Sequence, residues 1–126
     1  MNTKSAADAY MRGSIESAPP IKIVRMLYQG AVRALLQAKA AGTDSVEFQT
    51  RIGHADEIVT ELRLALRPEF GAEQCANLEG LYLFVQDRLT LARADREAGP
   101  LDEAREILET LLEAWNQVEI QAAGEA

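Results

Sequence analysis

Apolar residues recur at the spacing of a helical face in four successive stretches of this 126-residue chain. In the first stretch they fall at i, i+3, i+4, i+7, i+11 and i+14, at Val24, Leu27, Tyr28, Ala31, Leu35 and Ala38. No stretch combines sustained apolar–polar alternation with the β-branched residues that are typical of a strand. The pattern therefore predicts four helices of about 20 residues and no sheet.

Capping residues, prolines and glycines set the expected ends of these helices. Asp44 is predicted to cap the second helix, because Glu47 follows three residues later at the capping-box spacing. Pro100 suits the first turn of the fourth helix, where a backbone N–H would have no partner within the helix. The expected helices occupy about residues 20–42, 44–67, 73–98 and 100–122.

Helices of similar length joined by short loops become antiparallel neighbours. At 1.5 Å per residue each is about 30 Å long, so the four can align along their whole length. The predicted fold is an all-α, antiparallel up-down four-helix bundle over residues 19–122. Residues 1–18 lack a periodic face and form a predicted N-terminal lead-in, and residues 123–126 form a predicted tail.

The net charge of the chain limits the classes of partner that it can bind. Thirteen lysines and arginines stand against 20 acidic residues, which gives a net charge of −7. Because binding to a phosphate backbone is driven by basic side chains, nucleic acid is not an expected partner. No apolar run approaches the ~18 residues of a membrane-spanning helix, so no membrane insertion is expected, and the cytoplasm is the simplest location.

Residues that could support catalysis are few. The single cysteine, Cys75, excludes an internal disulfide and a multi-cysteine zinc site. Carboxylate-bridged metal sites in bundles need Glu-x-x-His from two helices, whereas this chain has one histidine, His54, with Arg51 three residues before it. Phosphate-binding loops and nucleophile elbows are absent from the sequence. We therefore expect no cofactor, no metal and no enzyme activity.

One alternative depends on His54. A single histidine midway along a helix of a four-helix bundle is typical of histidine phosphotransfer modules, which need an exposed imidazole. Here Asp56 and Glu57 follow it closely, and their carboxylates would repel an incoming phosphoryl group. The sequence favours a solvent-facing histidine and a protein that works by binding, and phosphotransfer stays the alternative.

Gly30 lies inside the first predicted helix and Gly80 inside the third, and both are informative. Each costs about 1 kcal/mol relative to alanine, so something is expected to approach the backbone closely at both positions. Tight packing between helices is one explanation, and a groove for a partner helix is the other. The same two helices carry more large apolar residues than one core stripe needs, namely Ile21, Ile23, Met26, Leu36, Leu83, Phe84 and Leu91.

Two motifs add a family resemblance. The segment Pro20–Ala31, PIKIVRMLYQGA, resembles the Ser-Pro-x-x-Leu-Ile-x-x-Leu-Tyr-Asp-Gly-Ala signature of the flagellin export chaperones, the FliS family. A second block, Gly71-Ala72-Glu73 followed by Asn77-Leu78 and Leu81-Tyr82, is similar to that family's Gly-Gly-Glu…Asn-Leu-x-x-Leu-Tyr at the same spacing. The resemblance covers residues 10 to about 118.

The resemblance implies a cytoplasmic chaperone without enzyme activity. It would bind the C-terminal helical region of flagellin, prevent premature polymerisation and keep flagellin competent for type III export, with export-gate components as additional candidate partners. The positions that the resemblance puts forward for partner binding are Tyr10, Ile23, Leu27, Tyr28, Gly30, Ala31, Asn77, Leu78 and Tyr82. Of the tyrosines, we expect Tyr28 to lie partly in the groove and Tyr82 mostly in the core.

The N-terminal lead-in, residues 1–18, is the last segment for which the sequence suggests a role. Residues 1–18 carry one large amphipathic side chain, Tyr10, and precede two prolines. An unoccupied apolar groove invites self-association, so a tethered aromatic residue that covers it would be useful. We therefore predict that residues 1–18 act as a lid over the flagellin groove.

Overall fold

A computed structural model of the chain describes residues 21–125, with side chains for 21–69 and 71–118. Its elements are α1 (Ile21–Ala41), α2 (Val46–Leu64), a 3-10 turn (Pro68–Phe70), α3 (Ala72–Asp95) and α4 (Ala98–Glu125). No strand occurs within 21–125, and the predicted all-α class is confirmed. Helix α4 extends to Glu125, three residues into the segment predicted as a tail.

The cap of α2 is Ser45 and not Asp44, so that prediction is wrong by one residue. Ser45 has extended backbone angles, and its Oγ accepts a hydrogen bond from the Phe48 N–H at 3.0 Å. The first helical residue is Val46, which makes Phe48 the third residue of the helix, and its amide is the one a cap normally satisfies. The Ser45 hydroxyl also donates to the Gly42 carbonyl at 2.7 Å and so fixes the preceding turn.

Helix α3 ends three residues earlier than predicted. Arg96 adopts a left-handed conformation with φ of 53°, and its N–H donates back to the Ala92 carbonyl. A left-handed residue directly after a helix terminates it, a role that glycine usually fills. Helix α4 then starts at Ala98, and Pro100 lies in its first turn as predicted.

The helices form a closed ring in which α1 packs on α2, α2 on α3, α3 on α4, and α4 on α1. Lys39 near the end of α1 pairs with Asp102 near the start of α4, with Nζ and Oδ2 2.9 Å apart. Likewise, the Gln49 side chain near the start of α2 donates to the Arg93 carbonyl near the end of α3 at 3.0 Å. These contacts join neighbours that run in opposite directions, which is the predicted up-down arrangement.

The core lies along the axis of this ring and takes side chains from the predicted stripe of every helix. Its largest fully buried members are Tyr28, Leu35, Phe48, Ile52, Val59, Leu78, Tyr82, Leu89, Leu101, Leu108, Leu111 and Trp115. Burying a side chain of this kind stabilises the fold by about 1.5–3 kcal/mol relative to leaving it exposed. The apolar stripes therefore hold the bundle together, and whatever apolar surface remains outside them is available for other contacts.

Candidate functional site

The two tyrosines of the Leu-Tyr motifs meet inside the bundle. Their hydroxyl groups are hydrogen-bonded to each other, and their ring centroids are 6.3 Å apart. The Trp115 ring of α4 lies 6.1 Å from that of Tyr28, so three helices contribute to one aromatic cluster. Burial raises the pKa of Tyr28, and hydrogen bonds to Tyr82 and Trp115 offset only part of that rise.

This geometry corrects one expectation and confirms another. Tyr28 is fully buried, so the expectation that it lies partly in a groove is wrong, whereas Tyr82, 2% exposed, is in the core as expected. A phenol can be buried in this way because its hydroxyl has a hydrogen-bond partner there. Ala31 and Leu78 lie one turn away on the same faces and are buried too. None of these four side chains offers a surface to a partner.

The remaining matched positions of α1 form a surface stripe. With Met26 they occupy positions i, i+3, i+4 and i+7 of one helical face: Ile23, Met26, Leu27 and Gly30. We call these four residues the α1 stripe. Ile23 is 49% exposed and Met26 56%, while Leu27 and Gly30 are half-buried. Met26 was not among the residues put forward for binding.

The other matched positions lie elsewhere in the chain. On α3, Asn77 is half-buried. Tyr10 and the predicted lid lie outside the described residues.

Neither Gly30 nor Gly80 is required for packing within the described part of the chain. A Cβ at Gly30 would lie 3.5 Å from Ile58 Cδ1 of α2, an ordinary contact distance. At Gly80 it would meet no described atom within 4 Å. Tight helix packing therefore does not explain Gly80 and only weakly explains Gly30. Both glycines leave bare backbone on or near the surface.

Charge is distributed unevenly over the bundle. Helix α1 holds four basic residues and no acidic one, whereas α4 holds seven acidic residues and one arginine. Lys39 and Asp102 bridge these two helices, and the lysine holds the pKa of that carboxyl below its usual range. Lys22 and Arg33 are exposed on the same helix as the α1 stripe. The stripe is therefore an apolar surface with basic flanks.

The fold does not bring the candidate reactive residues, His54 and Cys75, together in a catalytic arrangement. His54 is exposed on α2, in a shallow depression that also includes Glu57 and Arg93. Cys75 is buried, and burial is the main cause that raises the pKa of its thiol, which disfavours the reactive thiolate. Within residues 21–125, no cluster of three or more metal-ligating side chains occurs. No helix of this part of the chain is both long and apolar enough to cross a membrane.

Comparison with known proteins identifies the family. The family model described as "Flagellar protein FliS" matches residues 2–122. The chain belongs to the FliS family. A flagellar secretion chaperone FliS of Vibrio cholerae is 35% identical over 122 residues, which cover 91% of this chain and 89% of the relative. The FliS of Salmonella typhimurium is 32% identical over 130 residues, covering 98% and 96%. That of Bacillus subtilis is 28% identical over 111 residues, covering 86% and 82%.

These relatives confirm the resemblance drawn from the two motifs. The FliS family is one of flagellar secretion chaperones, which is not an enzyme class. Nothing in these matches supports the phosphotransfer alternative for His54. The candidate site is therefore a binding surface, and the α1 stripe is the part of the family signature that the fold leaves on the outside.

Proposed function

We propose that this chain binds the C-terminal helical region of flagellin in the cytoplasm, prevents its premature polymerisation and keeps it competent for type III export. One observation carries the proposal: the signature segment of α1 has an apolar stripe in which the described part of the chain leaves Ile23 and Met26 about half exposed. Membership of a family of flagellar secretion chaperones supports the choice of a flagellar cargo.

The stripe has the form of a docking surface for a helix. An amphipathic partner helix buries apolar residues that recur at i, i+3, i+4 and i+7, and the α1 stripe offers an apolar surface with the same spacing for such a face to pack against. Gly30 gives a partner backbone room to approach, and Ile58 borders it from α2. We propose that Ile23, Met26 and Leu27 supply the apolar contacts.

The other matched residues have two proposed roles. Tyr28, Ala31, Leu78 and Tyr82 fix the relative positions of α1 and α3 from inside the core and so act on flagellin indirectly. Asn77, half-buried on α3, is proposed to donate to or accept from an extended part of the cargo. Binding to export-gate components and closure of residues 1–18 over the α1 stripe, with Tyr10 as the covering side chain, stay predictions.

The proposal is tested by mixing the purified chain with flagellin that has or lacks its C-terminal helical region. Size-exclusion chromatography should show a complex with intact flagellin only. Light scattering should show that the chain delays polymerisation of intact flagellin in proportion to its concentration. Equal complex formation with the truncated flagellin would contradict the proposal.

A further inference from the structure

A row of polar residues lies on the side of α2 that faces α3. Its members stand at i, i+4, i+7, i+11 and i+14 and are Gln49, Gly53, Asp56, Thr60 and Arg63. Two side chains of α3, Gln86 and Arg93, contact all five. We call these seven residues the α2–α3 seam. Helices of a bundle are joined mainly by apolar side chains, whereas the outer part of this interface is polar from Gln49 to Arg63.

Gln86 holds the middle of the seam with three hydrogen bonds. Its Nε2 donates to the Thr60 hydroxyl at 2.9 Å and to the Asp56 carbonyl at 3.3 Å, and its Oε1 accepts from Arg63 Nη1 at 3.1 Å. Arg63 Nε, in contrast, is buried without a hydrogen-bond partner in the described part of the chain. If the helices separated, water would replace the three bonds and would also satisfy Arg63 Nε, so the net cost of breaking them is small.

The seam has one tied end and one free end. Residues 65–71 connect α2 to α3 at one end of the bundle. At the other end, Gln49 Nε2 donates to the Arg93 carbonyl at 3.0 Å, and Arg93 Nε donates to Gln49 Oε1 at 3.4 Å. The Arg93 guanidinium lies over the bare backbone of Gly53, where a Cβ would be 3.6 Å from its Nη1. The free end is therefore closed by exposed polar contacts.

The other interfaces of the ring are closed by larger apolar groups. The Tyr28 ring of α1 packs on the Trp115 ring of α4, and Ile58 of α2 packs against α1 beside Gly30. Of the four neighbouring helix pairs, α2 and α3 are the least extensively packed. The α2–α3 seam is therefore the interface that separates at the lowest cost.

We propose that the α2–α3 seam is a gate, at which α2 and α3 separate reversibly while α1 stays packed on α2 and α4 on α3. Separation starts at the Gln49–Arg93 end, because the loop ties the other end. Opening gives access to the buried side chains of Val59, next to Thr60, and Leu89, one turn from Gln86. The folded protein thus has a second state with an apolar cleft that the closed bundle lacks. The gate is separate from the α1 stripe and does not depend on flagellin binding.

The test measures how often buried thiols become accessible in the full chain. Cys75→Ser removes the native thiol, and single cysteines are introduced by Val59→Cys beside the seam and by Leu108→Cys in α4, both fully buried positions. Each variant is labelled with excess dithiobis(nitrobenzoate), and urea unfolding gives the accessibility that global unfolding alone allows. Val59→Cys should react at least tenfold faster than global unfolding allows, and Leu108→Cys at the rate that global unfolding sets. Labelling of both thiols only through global unfolding would overturn the proposal.

Further substitutions in the Val59→Cys background test which contacts close the gate. Gln86→Ala removes three bonds across the seam and should raise labelling about tenfold. Arg93→Ala removes only the contacts at the free end and should raise it about threefold, which keeps the test available if Gln86→Ala does not fold. The control, Lys39→Ala, breaks the ion pair of α1 with α4, which persists in the open state, and should leave labelling unchanged. Equal responses to the seam variants and the control would overturn the proposal.

Discussion

The buried hydroxyl pair of Tyr28 and Tyr82 joins α1 to α3 across the core, and replacing either tyrosine by phenylalanine breaks that link while keeping the ring. Tyr28→Phe removes one hydroxyl and withdraws a hydrogen-bond partner from the other, which is 2% exposed. Removing a hydrogen-bond partner from a buried polar group costs about 1–3 kcal/mol, at the lower end where the group keeps a second bond, as Tyr28 does to Trp115. The double variant removes both groups and should cost less than the sum of the single variants.

Urea unfolding followed by far-ultraviolet circular dichroism measures these free energies of unfolding. We expect each single variant to lose about 1–3 kcal/mol, with a coupling energy between the two positions of about 1 kcal/mol. Thr110→Val is the control, because it removes a hydroxyl that donates to the Glu106 carbonyl on the exposed face of α4. Its effect should stay within about 0.5 kcal/mol. Single variants as stable as wild type, or additive losses in the double variant, would refute the assignment of this pair as a core link.

Three further predictions concern pH, Gly30 and the lead-in. The pKa of Tyr28 in the folded protein lies above its ordinary value of 10.0, so its contribution to stability is complete below pH 10 and is lost as the pH rises further. The melting temperature of Tyr28→Phe should therefore fall less steeply with alkaline pH than that of wild type, and identical slopes would contradict this. Gly30→Ala should raise the free energy of unfolding by up to about 1 kcal/mol, since its Cβ makes only ordinary contact with Ile58, yet weaken flagellin binding; a destabilised variant with normal affinity would show that Gly30 is a packing residue. Deleting residues 1–18, or Tyr10→Ala, should tighten flagellin binding by up to about twelvefold if lid closure is worth ~1.5 kcal/mol; weaker binding on titration would argue for direct contact with flagellin.

The fold could be predicted because the buried positions of each helix recur at the helical spacing and are apolar. The stripe of each helix supplies the buried residues, as Phe48 and Ile52 do in α2. Helix ends were less predictable, since Asp44 and Ser45 are both good caps and only the backbone turn selects one of them. The end of α3 depends on a left-handed arginine, Arg96, at a position where sequence rules anticipate glycine.

The site was only partly predictable for a related reason. Helical spacing places Tyr28 on an inward face, but it does not show that the side chain meets Tyr82, which is 54 residues away. A family motif mixes residues that hold the fold with residues that face outward. Only the packing of α1 against the other helices separates the exposed Ile23 and Met26 from Tyr28, which is buried against Tyr82 and Trp115. The i+3 spacing of Met26 from Ile23 was a signal in the sequence that could have identified it.

Binding of the flagellin C-terminal region to the α1 stripe is tested most directly by isothermal titration calorimetry. That region is titrated into wild type, into Ile23→Ser with Met26→Ser, and into the control Val46→Ser with Leu64→Ser. Both double variants replace exposed apolar residues. We predict tight binding to wild type and control, and affinity roughly thirtyfold weaker for the α1 variant. Equal affinity of all three proteins, or no heat of binding to wild type, would contradict the proposal.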